Sequence, residues 1–464
     1  MATEENLNKH PAAMNYSDEE GSESEGLTPP FQTPKGMHDI LPPDHEYHTY
    51  LKKIVRHRCR QAGFKRITTP ILEYTEVFKR TIGEVTDIVS KEMYTFEDRK
   101  GRSLTLKPEG TASICRAYIQ HGMQNLPQPV EFFYIEPHFR YERPQAGRYR
   151  QFWQFGFEVM GESDPALDAQ AILLAYRIYG DLGIGDTLKL QINNIGDLNS
   201  RKIYTEALRD YYFGKERYLS EEDKQRLQKN PLRILDSKHE DTIILNQSAP
   251  KFKDFISKES QEFHDEVLEY LTDLGIPYEE NETLVRGLDY YNQTVFEFWD
   301  GKKGAQNSVG GGGRYDGLME ILGGPATPAI GFAMGLERVI AQMKRNKVRV
   351  PSKDDLHVFV AQLGRQAKKT CLPLINELRD RGVKTMGALG KGAIKNQLKI
   401  ADRFKVPYCV LIGLTEVREG TAIIRNMIKG SQKTVKMSEV VEEMVKAIGK
   451  NNLDFYDPKD PVNE

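Results

Sequence analysis

A chain of 464 residues, 39% hydrophobic and 28% charged, can bury the cores of two or three domains, which excludes a disordered polyelectrolyte. No apolar run approaches the ~20 residues that span a bilayer, and the N-terminus lacks the basic start and apolar stretch of a secretory signal, so no membrane association and a cytoplasmic location are expected. Cys59, Cys115, Cys371 and Cys409 lie far apart, which excludes a short-spaced zinc or redox motif and leaves buried thiols; no metal ligands of the chain's own are expected.

The formal charge of −2 conceals a division. Residues 356–450 carry 18 Lys and Arg against 8 Asp and Glu, a net of +10, so the rest of the chain carries −12. A basic module on an acidic body is an electrostatic footprint for nucleic acid, although a solvated lysine-rich surface gives the same count.

In chain order, residues 1–33 set Glu4, Glu5, Asp18, Glu19, Glu20, Glu23 and Glu25 among Ser, Gly and Pro, a composition that predicts a disordered acidic tail. Residues 46–62 have helical spacing, with Tyr50, Ile54, Val55 and Cys59 on one side, and a short strand at 64–68 follows. Residues 93–97 and 103–106 read as a hairpin closed by Asp98-Arg99-Lys100-Gly101. Lys107-Pro108-Glu109-Gly110-Thr111 then leads into a helix to about residue 121. Glu109 and Thr111 thus occupy a strand-to-helix corner, where polar side chains can face a cavity; capping of the helix by Thr111 is the alternative.

Residues 130–160 are the most informative. Phe139 and Tyr141 alternate with His138, Arg140 and Glu142, which predicts that Arg140 and Glu142 share a strand face. After the loop at 144–150, Trp153, Phe155, Phe157 and Val159 form one apolar face of a return strand and Phe152, Gln154, Gly156 and Glu158 the other. A one-residue slip would bury Gln154 and Glu158, so the register is well specified. A hairpin with one solvated face explains that alternation too. It does not explain Arg140, Arg143, Arg148 and Arg150 gathered around the turn with Phe152 at its base, a grouping suited to an anionic, flat ligand.

Residues from about 196 to 265 are polar and helical and read as an insertion. The stretch Leu284-Val285-Arg286-Gly287-Leu288-Asp289-Tyr290-Tyr291 is a polar loop running into a strand that becomes β-branched and aromatic at Thr294. Gly310-Gly311-Gly312-Gly313 allows close backbone approach to a ligand or forms a flexible turn. Residues 331–343 read as a helix with Phe332, Leu336, Val339 and Met343 as its stripe and Arg338 on another face. Between 355 and 450 four strands alternate with three helices, an α/β module.

Together these stretches resemble the class II aminoacyl-tRNA synthetases, and within them the histidyl-tRNA synthetase family. The class-level likeness lies in the Arg140 strand, loop and return strand and in Gly335-Leu336-Glu337-Arg338; the family-level likeness lies in Arg286-Gly287-Leu288-Asp289-Tyr290-Tyr291 and Gly312-Gly313-Arg314-Tyr315-Asp316-Gly317. The acidic extension and the four glycines where two would do depart from the pattern. The resemblance implies an α+β catalytic domain on a mostly antiparallel sheet at 34–350, with the helical insertion, a C-terminal α/β anticodon-binding domain at 355–450 and a tail at 451–464.

It further implies an enzyme that activates histidine with ATP and Mg²⁺ to histidyl-adenylate and transfers it to the 3′ end of tRNA(His). In this sequence Arg140 and Arg286 would hold the α-phosphate, Arg338 and Arg148 the remaining phosphates, Glu142 the adenine amino group, and Phe152 the adenine ring. Glu109, Thr111 and Gln154 would hold the α-amino end of histidine, Glu158 and Tyr290 the imidazole, with Tyr291 closing the pocket. Gln145 would lie near the extra 5′ nucleotide of this tRNA. A homodimer built partly through the helix and strand before Pro70 is implied as well.

A synthetase-like regulatory subunit that binds histidine without charging tRNA would be expected to lose the phosphate-gripping arginines and the basic module, and Tyr290, Tyr291 and Glu158 argue against a prolyl or threonyl specificity. Lys436-Met437-Ser438 resembles a signature of the other synthetase class, but Glu439 follows where a second cation is needed. Ser438 is expected as an N-cap instead.

Overall fold

The computed structural model describes residues 31–455 apart from 83–85, 87, 145–146, 236, 302–307, 352–354, 388 and 391. The chain divides into two units, the larger running from Tyr47 to Arg349 and the smaller from Val350 onward together with Leu41–Glu46. The helix α1 (Pro42–Gln61) buries Leu51, Val55 and Cys59; Tyr50 and Ile54, expected on the buried stripe, are only half-buried. The four cysteines are buried and unpaired. No described helix is long and apolar enough to cross a membrane.

In the larger unit β1 (Lys65–Arg66) is followed by a small three-stranded sheet of β2 (Leu72–Tyr74), β3 (Tyr94–Glu97) and β4 (Ser103–Leu106), with α2 (Thr75–Ile82) and α3 (Thr111–Gln120) beside it. The main sheet then receives β5 (Val130–Phe139), β6 (Gln151–Met160), β7 (Leu188–Asn194), β8 (Tyr278–Glu280), β9 (Asn292–Asp300), β10 (Ser308–Arg314) and β11 (Ala329–Gly335). Its order is β1-β5-β6-β11-β10-β9-β7-β8. The six central strands are antiparallel to their neighbours, and the short β1 and β8 extend the edges in parallel. This is the expected mostly antiparallel sheet.

One face of the sheet is an aromatic layer. Phe155 and Phe157 of β6, Phe332 of β11, and Phe296 and Phe298 of β9 are all buried. Phe296 stacks on Phe332 at 6.1 Å, and Tyr179 of α4 (Pro165–Asp181) closes over Phe298 at 4.9 Å. Because β6 alternates, burying Phe155 and Phe157 there forces Gln154 and Glu158 onto the opposite face. The anticipated register holds, with Glu158 opposite Phe132 on β5 and Gly331 on β11.

Between β7 and β8 the helices α5 (Leu198–Tyr212), α6 (Glu221–Lys229) and α7 (Glu240–Asn246) enclose a core of their own, with Tyr204, Leu208, Tyr212 and Phe252 in it, before α8 (Lys258–Asp273) returns to pack on α4.

Three local expectations give way. Residues 331–335 are not the start of a helix: they are strand β11, and the helix α10 (Leu336–Arg345) begins only after it, following the short α9 (Leu318–Ile321). A strand buried on both faces loses polar alternation, so Phe332 and Leu336 mimicked a helical stripe. The glycine run is not a turn but the body of β10, hydrogen-bonded on both sides. And β5 ends at Phe139, so Arg140 and Glu142 stand on the irregular segment beyond it rather than on a strand face.

The smaller unit has strands β12 (Val358–Gln362), β13 (Thr385–Gly387), β14 (Tyr408–Ile412), β15 (Thr421–Asn426) and β16 (Gln432–Lys436) in the order β13-β12-β14-β15-β16. Helices α11 (Arg365–Asp380), α12 (Ile394–Arg403), α13 (Leu414–Glu419) and α14 (Val440–Ile448) complete this α/β module; β16 and α13 are additions to the elements expected. Ser438 does not cap α14. It lies in a short turn, and Glu439 holds the N-cap position without a side-chain hydrogen bond.

Candidate active site

On the polar face of the main sheet lies a cavity of about 250 Å³. Arg140, Arg148, Arg286 and Arg338 all line it, with Glu142, Phe152 and Gln154. Three separate stretches of chain deliver those guanidinium groups, and they are anchored differently. Arg140 Nε donates to the Pro108 carbonyl at 2.8 Å, and its guanidinium lies 5.3 Å from the Phe152 ring centre. Arg338, in the first turn of α10, donates to Gly147 O at 3.0 Å and Ser308 O at 2.8 Å. Burial lowers its pKa, as do Arg148 and Arg140 beside it, the signature of cations assembled for an anion.

Arg286 is ion-paired to Glu297 of β9, which also accepts from Trp299 Nε1 at 2.7 Å. Burial lowers the Arg286 pKa, but Glu297 and Tyr291 more than offset it, so the guanidinium is held firmly charged. The Glu142 carboxylate sits between Arg148 at 3.4 Å and Arg140 at 3.8 Å. Of the other expected arginines, Arg143 is exposed. Arg150 shapes the loop, donating to Glu142 O at 3.2 Å with its guanidinium 3.8 Å from the Tyr141 ring centre. Gln145 lies outside the described residues.

The floor is main chain. Gly310 and Gly311 of β10 line the cavity, and a Cβ on Gly311 would stand 2.9 Å from Arg286 Nη1 and 2.6 Å from the Phe296 carbonyl. No side chain larger than hydrogen leaves Arg286 where it is.

Beyond Gln154 the same face carries a buried acidic cluster. Glu109, at the start of α3, accepts from the Thr111 and Ala112 amides, both at 2.8 Å. Thr111 is therefore not the cap; its hydroxyl donates instead to Glu158 Oε1 at 2.9 Å. Tyr315 donates to Glu158 Oε2 at 2.5 Å, and Tyr290 donates to Glu109 Oε2 at 3.4 Å. Tyr290 packs on Tyr291 at 4.7 Å and on Tyr315 at 5.7 Å. A Cβ on Gly331 would collide with the Glu158 carboxylate, so β11 makes room for it. Burial raises the Glu158 pKa to about 8, against the lowering effect of its two hydroxyl donors, and burial raises that of Glu109 too. Two buried carboxylates ringed by tyrosines suit a small ligand with several N–H donors.

Among the described residues the Gln154 Oε1 and Arg286 Nε atoms are buried with no hydrogen-bond partner. Buried polar atoms are rarely left so unless something else satisfies them. Sequence reasoning missed Tyr315 and Glu297. Tyr315 was visible inside the Gly312–Gly317 peptide but carried no assigned role; Glu297 differs from an ordinary exposed strand carboxylate only through its pairing with Arg286.

Comparison with known proteins bears on this geometry. Residues 36–339 match the family model described as histidyl-tRNA synthetase, and residues 357–447 match the anticodon binding domain model. The histidine–tRNA ligase of Dehalococcoides mccartyi is 44% identical over 90% of this chain and 100% of its own length. That of Anoxybacillus flavithermus is 43% identical over 89% and 98%. The crystal structure of apo histidyl-tRNA synthetase from S. aureus superposes with a TM-score of 0.75 at 36% identity, covering 89% of this chain and 99% of that one.

Proposed function

The chain belongs to the histidyl-tRNA synthetase family, and from that premise we propose how its residues share out the reaction. It is an aminoacyl-tRNA ligase that joins histidine to tRNA. A histidine carboxylate oxygen attacks the α-phosphorus of ATP, the bond to the β-phosphate breaks, and pyrophosphate leaves; a hydroxyl of the terminal ribose of the tRNA then attacks the carbonyl carbon and AMP leaves.

Both steps need charge stabilisation more than a covalent intermediate. Arg140 and Arg286 hold the α-phosphate where negative charge grows, and Arg338 with Arg148 holds the remaining phosphates. Glu142 turns towards the adenine amino group and Phe152 stacks on the base. The observation that carries this assignment is the convergence of guanidinium groups from three chain segments on one cavity floored by glycine main chain. Mg²⁺, brought with ATP, would add neutralisation of the phosphate charge to what Arg140, Arg286, Arg338 and Arg148 supply.

Histidine fills the acidic pocket. Its ammonium meets Glu109, Thr111 and Gln154, its imidazole meets Glu158 and Tyr290, and Tyr291 covers it. A side chain lacking the ring nitrogens would leave those buried groups unpaired, at about 1–3 kcal/mol each, so editing is unnecessary. Residues 356–450, with their net charge of +10, bind the anticodon stem and loop of tRNA(His). The exposed Leu72, Tyr74 and Phe96 of the small sheet support a homodimer through that face, and the enzyme works in the cytoplasm. The test is amino-acid-dependent pyrophosphate exchange: the protein should respond to histidine alone among the standard amino acids, and Arg286→Ala should lower the rate by about 100-fold or more. Unchanged exchange in that variant would remove Arg286 from the chemistry.

A further inference from the structure

The loop 286–291 has two sides. One carries Arg286, Tyr290 and Tyr291 towards the cavity and the acidic pocket. The other is gripped by the helical insertion. Arg201 of α5 donates to the Asp289 carbonyl at 3.2 Å and the Tyr291 carbonyl at 2.5 Å. Asn230, at the end of α6, donates to Asp289 Oδ1 at 2.9 Å. Arg233 donates to the same oxygen at 3.2 Å and to the Gly287 carbonyl at 2.9 Å. Every one of these bonds crosses from the insertion to the loop.

A small cavity of about 30 Å³ lies behind the loop, lined by Arg201, Asn230, Arg233, Leu288 and Asp289. Across it the insertion holds the loop through discrete donors, and charge-assisted bonds are the stronger kind. Arg201 is half-buried, and burial lowers its pKa, so it is committed to these carbonyls at the expense of solvation.

We propose that Arg201, Asn230 and Arg233 are positioning residues: through Asp289 and the backbone of 287–291 the insertion sets the reach of Arg286, Tyr290 and Tyr291, and adenylate formation depends on a domain that touches neither substrate. A displacement of about 1 Å at a reacting group can cost about 100-fold in rate. The insertion is thereby a lever on activation, so that anything bound to its outer surface acts on the first half-reaction.

This rests on the reading that the loop grips histidine and the α-phosphate, and the experiment separates the two. Histidine-dependent pyrophosphate exchange is measured on the full chain for Arg233→Ala, Asn230→Ala, Asp289→Ala, the double variant Asn230→Ala with Asp289→Ala, and Arg286→Ala. The single clamp variants should lose about 10-fold in kcat/KM for histidine, with a raised KM for histidine; a variant that merely folded less well would lose kcat at unchanged KM. The double variant should be no worse than Asp289→Ala, because Asn230 acts through that carboxylate, and Arg233→Lys should recover part of the loss. Clamp variants with wild-type kinetics, or additive losses in the double variant, would overturn the proposal. If Arg286→Ala is also silent, the reading of the loop falls instead.

Discussion

Glu158 is an expensive residue to keep. Burial holds its pKa at about 8, well above the ~4.3 of an unfolded chain, so between those values the folded state binds more protons than the unfolded one. By linkage, stability falls as pH rises from about 4.3 to 8 and the contribution then levels off. Glu158→Gln removes that slope. The variant should gain thermal stability over the parent at pH 8 but not at pH 4.5, while histidine-dependent exchange collapses by about 100-fold or more. Melting curves at the two pH values check the first part; an equal difference at both would rule out titration of Glu158 as the cause. The residues facing the pocket were legible because β6 alternates so cleanly. What sequence could not give was the hydroxyl of Tyr315 on Glu158, since that bond joins residues 157 positions apart in the chain and depends on how β10 exits the sheet.

At the scale of elements, β10 shows how a strand can be read as a turn. Four successive glycines signal conformational freedom, yet here the missing side chains let Arg286 on one face and Tyr179 on the other approach the backbone. Gly311→Ala should press on the Phe296 carbonyl and displace Arg286, at about 1–3 kcal/mol in stability and about 10-fold or more in kcat. Calorimetry and exchange kinetics on that variant measure both. If kcat is retained, the contact between Gly311 and Arg286 has no functional weight. Residues 331–335 misled for the complementary reason: β11 lies between β6 and β10, is apolar on both faces, and so carries no period-two signal. Arg140 and Glu142 reached the cavity even though their strand ended earlier than alternation suggested, because the Pro108 carbonyl and Arg148 hold them there.

For the whole molecule, the charge division is the feature that sequence alone disclosed best, since it needs only counting. The acidic remainder holds the residues proposed for adenylate chemistry, and the basic 355–450 module is the one proposed for tRNA. A chain truncated after residue 353 should therefore retain histidine-dependent exchange within a few-fold of the full chain and lose tRNA charging by about 100-fold or more, measured with radiolabelled histidine at physiological salt. Charging that survived would mean the basic module is not the tRNA platform. Helices α11, α12 and α14 of that module were visible from periodicity. The short β16 and α13 were not, because five or six residues carry too few turns or alternations to register.

The cavity floor made of Gly310 and Gly311 has a lasting consequence for how this enzyme can change. Peptide groups look alike whatever gene encodes them, so a nucleotide lying on bare backbone meets a surface that substitution can only spoil. Variation in what the enzyme accepts is thereby pushed to the side chains alongside, Gln154, Glu158 and the tyrosines, and the proposed triphosphate seat is left as a constant on which that variation is played out.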